Sequence, residues 1–286
     1  MNKSIYNYIE LTKPSIMLLV IIAGLTALVI EGSLLNKPLL IAAFSLGLFL
    51  TGGSANALNQ YFEREIDSKM TRTSGRRPLP LNKIKSINAL LFAVGIGVAG
   101  ILLFGFVFNW LTALLSLATI LFYGFFYTLW LKPNTSLNIV IGGVAGAMAP
   151  IGAWTAATGS MALMPWLLFL IIFFWTPPHF WSLSLRFKDD YSKTGLPMLP
   201  IVKGNAVAFK QIYYYTLILF AISLTPLLVS FGWIYLITAL ALGIIFIKKS
   251  YNAKKEKSDD LAWGIFKYSI VYLFAIFIAL VIDEFV

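Results

Sequence analysis

Asn56, Asn59, Glu63 and Asp67 stand at positions i, i+3, i+7 and i+11. If the apolar run Leu39 to Leu58 continues as a helix through them, this spacing places all four on one face and their oxygens converge. Asn59 and Asp67 would then be separated by about 12 Å along the axis, at a rise of about 1.5 Å per residue. Hard oxygen donors spread over that length suit Mg²⁺, which keeps part of its water and bridges to phosphate oxygens. Arg72, Arg76 and Arg77 follow at once and offer planar forks that match the oxygens of a diphosphate. Asn59, Glu63 and Asp67 are therefore candidate metal ligands. Arg72 and Arg76 are candidates for catalysis and substrate binding, and Arg77 for substrate binding. Asn56 lies deepest, where an amide without a partner is costly, and is a catalytic candidate. The plain alternative is a solvated helix end, with arginines anchored to lipid phosphate. Gly75 favours a loop over a helix between Arg72 and Arg76.

Three further places carry chemistry. Lys132 either contacts a diphosphate or snorkels to an interface. Asp189 and Asp190 follow Arg186 and Lys188, so they are either metal ligands or members of salt bridges, with Arg186 a candidate substrate contact. His179, the only histidine, lies in Trp175 to Trp181, reading WTPPHFW. Pro177 and Pro178 lack backbone donors and are expected to break the preceding turn. A lone buried His can satisfy the carbonyls freed there, ligate a haem iron, or transfer a proton.

The elements that must position these groups are membrane helices. A chain that is 59% hydrophobic and 12% charged, with a mean hydropathy of +0.83, does not fold as a soluble domain of 286 residues. Apolar windows give nine candidate spans, at 15–31, 38–58, 86–106, 109–131, 138–158, 163–185, 208–229, 231–247 and 263–283. No soluble domain fits between them, and 1–286 reads as one domain. With the N-terminus inside, 21 of 22 Lys and Arg residues fall on the inner side and only Lys37 outside. That is the positive-inside pattern, so the net charge of +10 reports topology and contact with the lipid bilayer rather than nucleic acid. The C-terminus is then external. The absence of cysteine excludes disulfides, thiolate metal sites and a Cys nucleophile. Polar segments 63–85 and 186–203 follow the second and sixth spans, which suggests two four-helix repeats plus a ninth helix around a central cavity. Gly142, Gly143, Gly146 and Gly152 are expected to let the fifth span approach a neighbour.

Asn59 to Asp67, reading NQYFEREID, resembles the Asn-x-x-x-Asp-x-x-x-Asp signature of the UbiA-type intramembrane prenyltransferases, with Glu63 in place of the first Asp. Met70 to Leu79 (MTRTSGRRPL) is similar to the haem O synthase branch of that family. So are Tyr127 to Lys132 (YTLWLK), Asn138 to Ala147 (NIVIGGVAGA), WTPPHFWSL at 175–183, DDY at 189–191 and GLPMLPIVKG at 195–204. Pro133 stands where the family usually carries Arg. The likeness runs from about Thr12 to Gly204, and the remainder matches in hydropathy alone.

The resemblance implies an all-α, nine-helix enzyme; the opening residues, without Arg-rich transit character, point to a prokaryotic plasma membrane, and the basic residues put the catalytic loops on its cytoplasmic side. It would transfer a farnesyl group from farnesyl diphosphate to haem B with Mg²⁺. A second metal would be held at Asp189 or Asp190, His179 would act at the porphyrin, and aromatic rings such as Tyr127 would enclose an allylic cation. Haem A synthase or terminal oxidase assembly proteins are the partners this implies. Two rivals stand beside it: a related prenyltransferase with a phenolic or polar lipid acceptor, and a multi-pass transporter or haem carrier.

Overall fold

The computed structural model describes residues 3–229 and 231–286, and these form helices with no strand among them. An amphipathic helix α1 (Lys3–Leu11) precedes α2 (Pro14–Glu31), the first span. The second is α3 (Pro38–Phe62), followed by two short helices, α4 (Arg64–Lys69) and α5 (Thr71–Ser74). The third is α6 (Ser86–Val107). The fourth begins as α7 (Trp110–Leu121), widens into a π-helix over Phe122–Leu131 and ends in α8 (Lys132–Asn134). The fifth is split at Met148 into α9 (Asn138–Ala147) and α10 (Ala149–Thr158). The sixth, α11 (Leu163–Arg186), leads into α12 (Lys188–Ser192) and α13 (Leu199–Val202). The last three are α14 (Asn205–Ser223), α15 (Trp233–Glu256) and α16 (Asp259–Glu284), with a 3₁₀ turn, Thr225–Leu228, extending α14. Nine helices among the described residues are thus long and apolar enough to cross a membrane.

Proline at the first turn starts α2 and α3, where the missing N–H is no loss. Consecutive spans pack on one another, and α16 packs back on α2, so the nine helices close into a ring. Contacts of α2 with α10 and of α11 with α16 cross that ring. The closest pair is α3 with α6, where Gly100 faces the backbone of Thr51. A β-carbon there would sit 3.1 Å from the Thr51 nitrogen, so only glycine permits the approach. The opposite side of α6 presents Leu91, Val94, Val98 and Leu102, an exposed apolar stripe at helical spacing that suits lipid tails.

Two expectations about helix geometry change. Helix α3 does not run on to Asp67: it ends at Phe62, Glu63 sits at φ −90°, ψ 6°, and α4 restarts beyond it. The Asp67 N–H still reaches the Glu63 carbonyl at 2.8 Å, so the kink keeps the two acids one turn apart. Conversely, Pro177 and Pro178 do not break α11, which is continuous from Leu163 to Arg186. A membrane helix held by neighbours on several sides tolerates the few unmade bonds. Ser182 Oγ also donates to the Pro178 carbonyl at 2.6 Å. Of the four glycines expected to pack, Gly142 and Gly143 do so, against Tyr127 and Thr176, while Gly146 and Gly152 face open space.

Candidate active site

The Lys13–Pro14 junction, the α3–α4 kink and the end of the fourth span meet at one end of the ring and bring a set of charged groups together. Asn59, Glu63 and Asp67 are all buried. Lys132 Nζ donates to Glu63 Oε1 at 2.5 Å, and Arg77 forms a close ion pair with Asp67 Oδ2. Lys13 Nζ donates to Asn59 Oδ1 at 2.7 Å, while Asn59 Nδ2 donates to Thr128 Oγ1 at 3.2 Å. Thr128 is held by the π-helix, its hydroxyl donating to the Tyr123 carbonyl five residues back at 2.7 Å. On the same π-helix Tyr123 and Tyr127 stack with centroids 5.1 Å apart, and Tyr127 is buried against Gly142.

Electrostatics follow from burial and from the mixture of signs. Burial raises the cost of charging Glu63, but Lys132, with Lys13 and Arg77 behind it, outweighs this and holds the carboxyl below its usual range. Burial pushes Asp67 above the usual carboxylate range in spite of Arg77. Lys13 is drawn down to about 7, first by burial and then by Arg77. Its backbone is also unusual, in the left-handed region at φ 53°, ψ 67°, a costly conformation that turns its side chain into the cluster.

A metal fits this donor set under one condition. The donors are hard oxygens, two carboxylates and an amide, which Mg²⁺ prefers. They stand among three cationic side chains, and no group of three or more Asp, Glu or His side chains among the described residues could hold a metal ion. The residues therefore suit a cation that arrives with the negative charge of a diphosphate.

The other expected residues lie around this cluster. Asn56 donates to the Thr12 carbonyl at 3.1 Å and lies 3.5 Å from Met17 Sδ, so it secures the turn that carries Lys13. Asp190 is not in the cluster. Its Oδ1 accepts from the Thr71 N–H and hydroxyl at 3.1 and 2.7 Å, and its Oδ2 from the Arg72 N–H at 2.9 Å. Lys193 lies 3.5 Å from it as well. Its carboxylate thus clamps the segment after the second span to the one after the sixth, and a metal there would have to displace those donors. Asp189 is exposed. Arg72 donates to Tyr191 Oη at 3.2 Å and lies over the rings of Phe187 and Tyr191. Arg76 is exposed, and Arg186 reaches Asp260 at 3.8 Å near the surface, apart from the acids.

His179 stands in a separate group between α11 and α16. Its Nδ1 lies 2.8 Å from Ser269 Oγ, and its ring is stacked between Trp175 and Phe266. Sequence reasoning missed Lys13, Thr128, Thr71 and Ser269 as site residues. Lys13 was read as one more inner-side charge, and the two threonines and the serine carry no local signal.

A family model described as the UbiA prenyltransferase family matches residues 17–279. A protein of Caulobacter vibrioides named protoheme IX farnesyltransferase is 42% identical over 299 residues, covering 96% of this chain and 89% of its own. A namesake from Gloeobacter violaceus is 42% identical over 286 residues, covering 99% and 93%. One from Roseiflexus is 40% identical over 279 residues, and the chain spans only 52% of that relative's length. Among solved structures, a digeranylgeranylglyceryl phosphate synthase superposes with a TM-score of 0.81 at 21% identity, covering 99% of both chains. A UbiA homologue of Archaeoglobus fulgidus, bound to DMAPP and Mg²⁺, gives 0.64 at 14% identity, covering 96% of this chain and 99% of its own. With a family match over most of its length and relatives this similar along nearly all of it, the chain belongs to the UbiA prenyltransferase family.

Proposed function

We propose that the protein transfers a farnesyl group from farnesyl diphosphate to a vinyl group of haem B, giving haem O and diphosphate. The observation that carries the diphosphate half is the buried set of Asn59, Glu63 and Asp67 with Lys13, Arg77 and Lys132 among them. The relatives named protoheme IX farnesyltransferase, matched over nearly the whole chain, support haem as the acceptor.

Asn59, Glu63 and Asp67 would hold Mg²⁺, which neutralises the leaving diphosphate when bound. Lys132 and Arg77 bind its outer oxygens, and Arg76, exposed on the same loop, is available to the far phosphate. As the C1–O bond breaks, the terminal carbon of the vinyl group supplies an electron pair to C1. Water then adds to the carbon next to the porphyrin and loses a proton, which leaves a hydroxyethylfarnesyl substituent. Tyr123 and Tyr127 present π-faces beside the cluster that suit an allylic cation.

The whole chain acts as one catalytic unit in a prokaryotic plasma membrane, with the site end cytoplasmic, and the haem O product is passed to enzymes that oxidise or install it. The test is mass spectrometry of haems extracted from a host that lacks haem O and expresses this chain. A farnesylated, hydrated haem supports the reading. A prenylated phenol or lipid in its place would move the protein to another branch, and haem binding without new product would favour a carrier.

A further inference from the structure

His179, Trp175, Phe266 and Trp263 form a column of four stacked rings between α11 and α16. Centroids are 4.2 Å apart for Trp175 and His179, 4.6 Å for His179 and Phe266, and 4.9 Å for Phe266 and Trp263, with interplanar angles of 21°, 30° and 10°. Phe187 meets Trp263 edge-on at the end of the column nearest Arg72. The imidazole is thus flanked by two stacked rings and met at right angles by Phe180 at 5.2 Å, which leaves the rest of its edge for polar contacts.

The polar contacts decide which nitrogen on that edge is available. Ser269 Oγ lies 2.6 Å from the Phe266 carbonyl, and a carbonyl cannot donate, so the one hydroxyl proton belongs to that bond. The 2.8 Å contact between Ser269 Oγ and His179 Nδ1 then needs its proton from the imidazole. Nδ1 carries hydrogen, and Nε2 carries a lone pair that makes no hydrogen bond among the described residues; it is not among the buried unpartnered atoms, so it is open to approach. The Trp175 indole donates to the Ser269 carbonyl at 2.6 Å, so both oxygens of Ser269 accept from α11, which holds the serine's backbone beside the histidine. A histidine that ligates a metal characteristically gives its other N–H to such a fixed acceptor, which sets the tautomer and the ring direction.

We infer that His179 Nε2 is the axial ligand to the iron of the haem substrate, and that Ser269 is the positioning residue that holds it in the ligating tautomer. Face-on stacking does not oppose this, because iron approaches along the lone pair, in the plane of the imidazole. The macrocycle would then stand across the edges of Trp175 and Phe266, which exclude water from the bond. The inference rests on the proposed reaction and assigns the acceptor's place in it.

Purified protein is titrated with ferric protoporphyrin IX and, separately, with metal-free protoporphyrin IX, while farnesyl transfer is assayed on the same samples. The wild type is expected to give the absorption and resonance Raman signature of imidazole-ligated iron. His179→Gln keeps a group able to donate to Ser269; it should lose that signature and at least tenfold in affinity for the iron porphyrin, with metal-free affinity within twofold. Ser269→Ala should keep the signature, weaken iron-porphyrin binding about tenfold and, once the sample is reduced with dithionite, lower the iron–histidine stretching frequency. An unchanged spectrum and affinity in His179→Gln would overturn the inference while transfer by the wild type upheld the reaction. A wild type that ligates haem through His179 yet transfers no farnesyl group would uphold the site and remove the reaction.

Discussion

At the scale of single residues, the site pairs its two acids with Arg77 and Lys132 and leaves the third cation, Lys13, on the amide of Asn59. Replacing Asp67 by Asn, or Glu63 by Gln, should lower farnesyl transfer by about 10²–10³, the scale for loss of a preorganised electrostatic contact. Insertion and haem binding should survive, and wild-type turnover by both variants at limiting Mg²⁺ would contradict the metal assignment. Lys132→Met is a different case, because it leaves Glu63 buried without its cation. We expect it to cost about 3–5 kcal/mol in thermal or denaturant unfolding. The double variant Lys132→Met, Glu63→Gln should recover most of that loss but no activity. The spacing from Asn59 to Asp67 pointed to one face although the helix is kinked at Glu63, and Arg77 was read beside it, while Lys132 was left between a diphosphate contact and an interface anchor. Lys13 was not, since its bond to Asn59 joins residues 46 positions apart and rests on a left-handed turn that no local pattern announces.

At the scale of elements, the nine spans were readable because length and apolarity alone define them, and most edges agree with the helices within a few residues. The π-helix and the unbroken α11 were not, because both depend on what surrounds the segment rather than on its own residues. The clamp between the segments after the second and sixth spans was also hidden, since Asp190 looked like a ligand and not like a joint. Its loss in Asp190→Asn should cost about 1.5–3 kcal/mol, the range for charge-assisted hydrogen bonds, and speed hydrogen exchange in residues 64–77 without changing exchange in α3. Although burial opposes its charge, bonds from Thr71 and Arg72 hold the Asp190 carboxyl at about 2, below the 3.8 of a free side chain. The clamp therefore contributes fully above pH 3.8 and weakens as pH falls towards 2, so exchange in this segment should be flat from pH 5 to 8 once corrected for the intrinsic rate.

At the scale of the whole molecule, this is a multi-pass membrane protein whose polar chemistry gathers at one end of its helices. Nine crossings, one for each of the long apolar helices among the described residues, would send the two termini to opposite faces. A reporter that folds only outside the cytoplasm should be active after Val286 and silent at the N-terminus, and the reverse result would invert the orientation. The position of the cluster, at helix ends and not at mid-depth, also bears on where the products go. On the proposed reaction, diphosphate would be released where it can dissolve and dilute, while the farnesylated porphyrin would enter a medium that diphosphate does not enter. Two immiscible phases thus divide the products between them, and re-encounter becomes rare without any gate in the protein. After reaction in lipid vesicles, sedimentation should leave diphosphate in the supernatant and the prenylated porphyrin in the pellet, and recovery of both in one fraction would contradict this division.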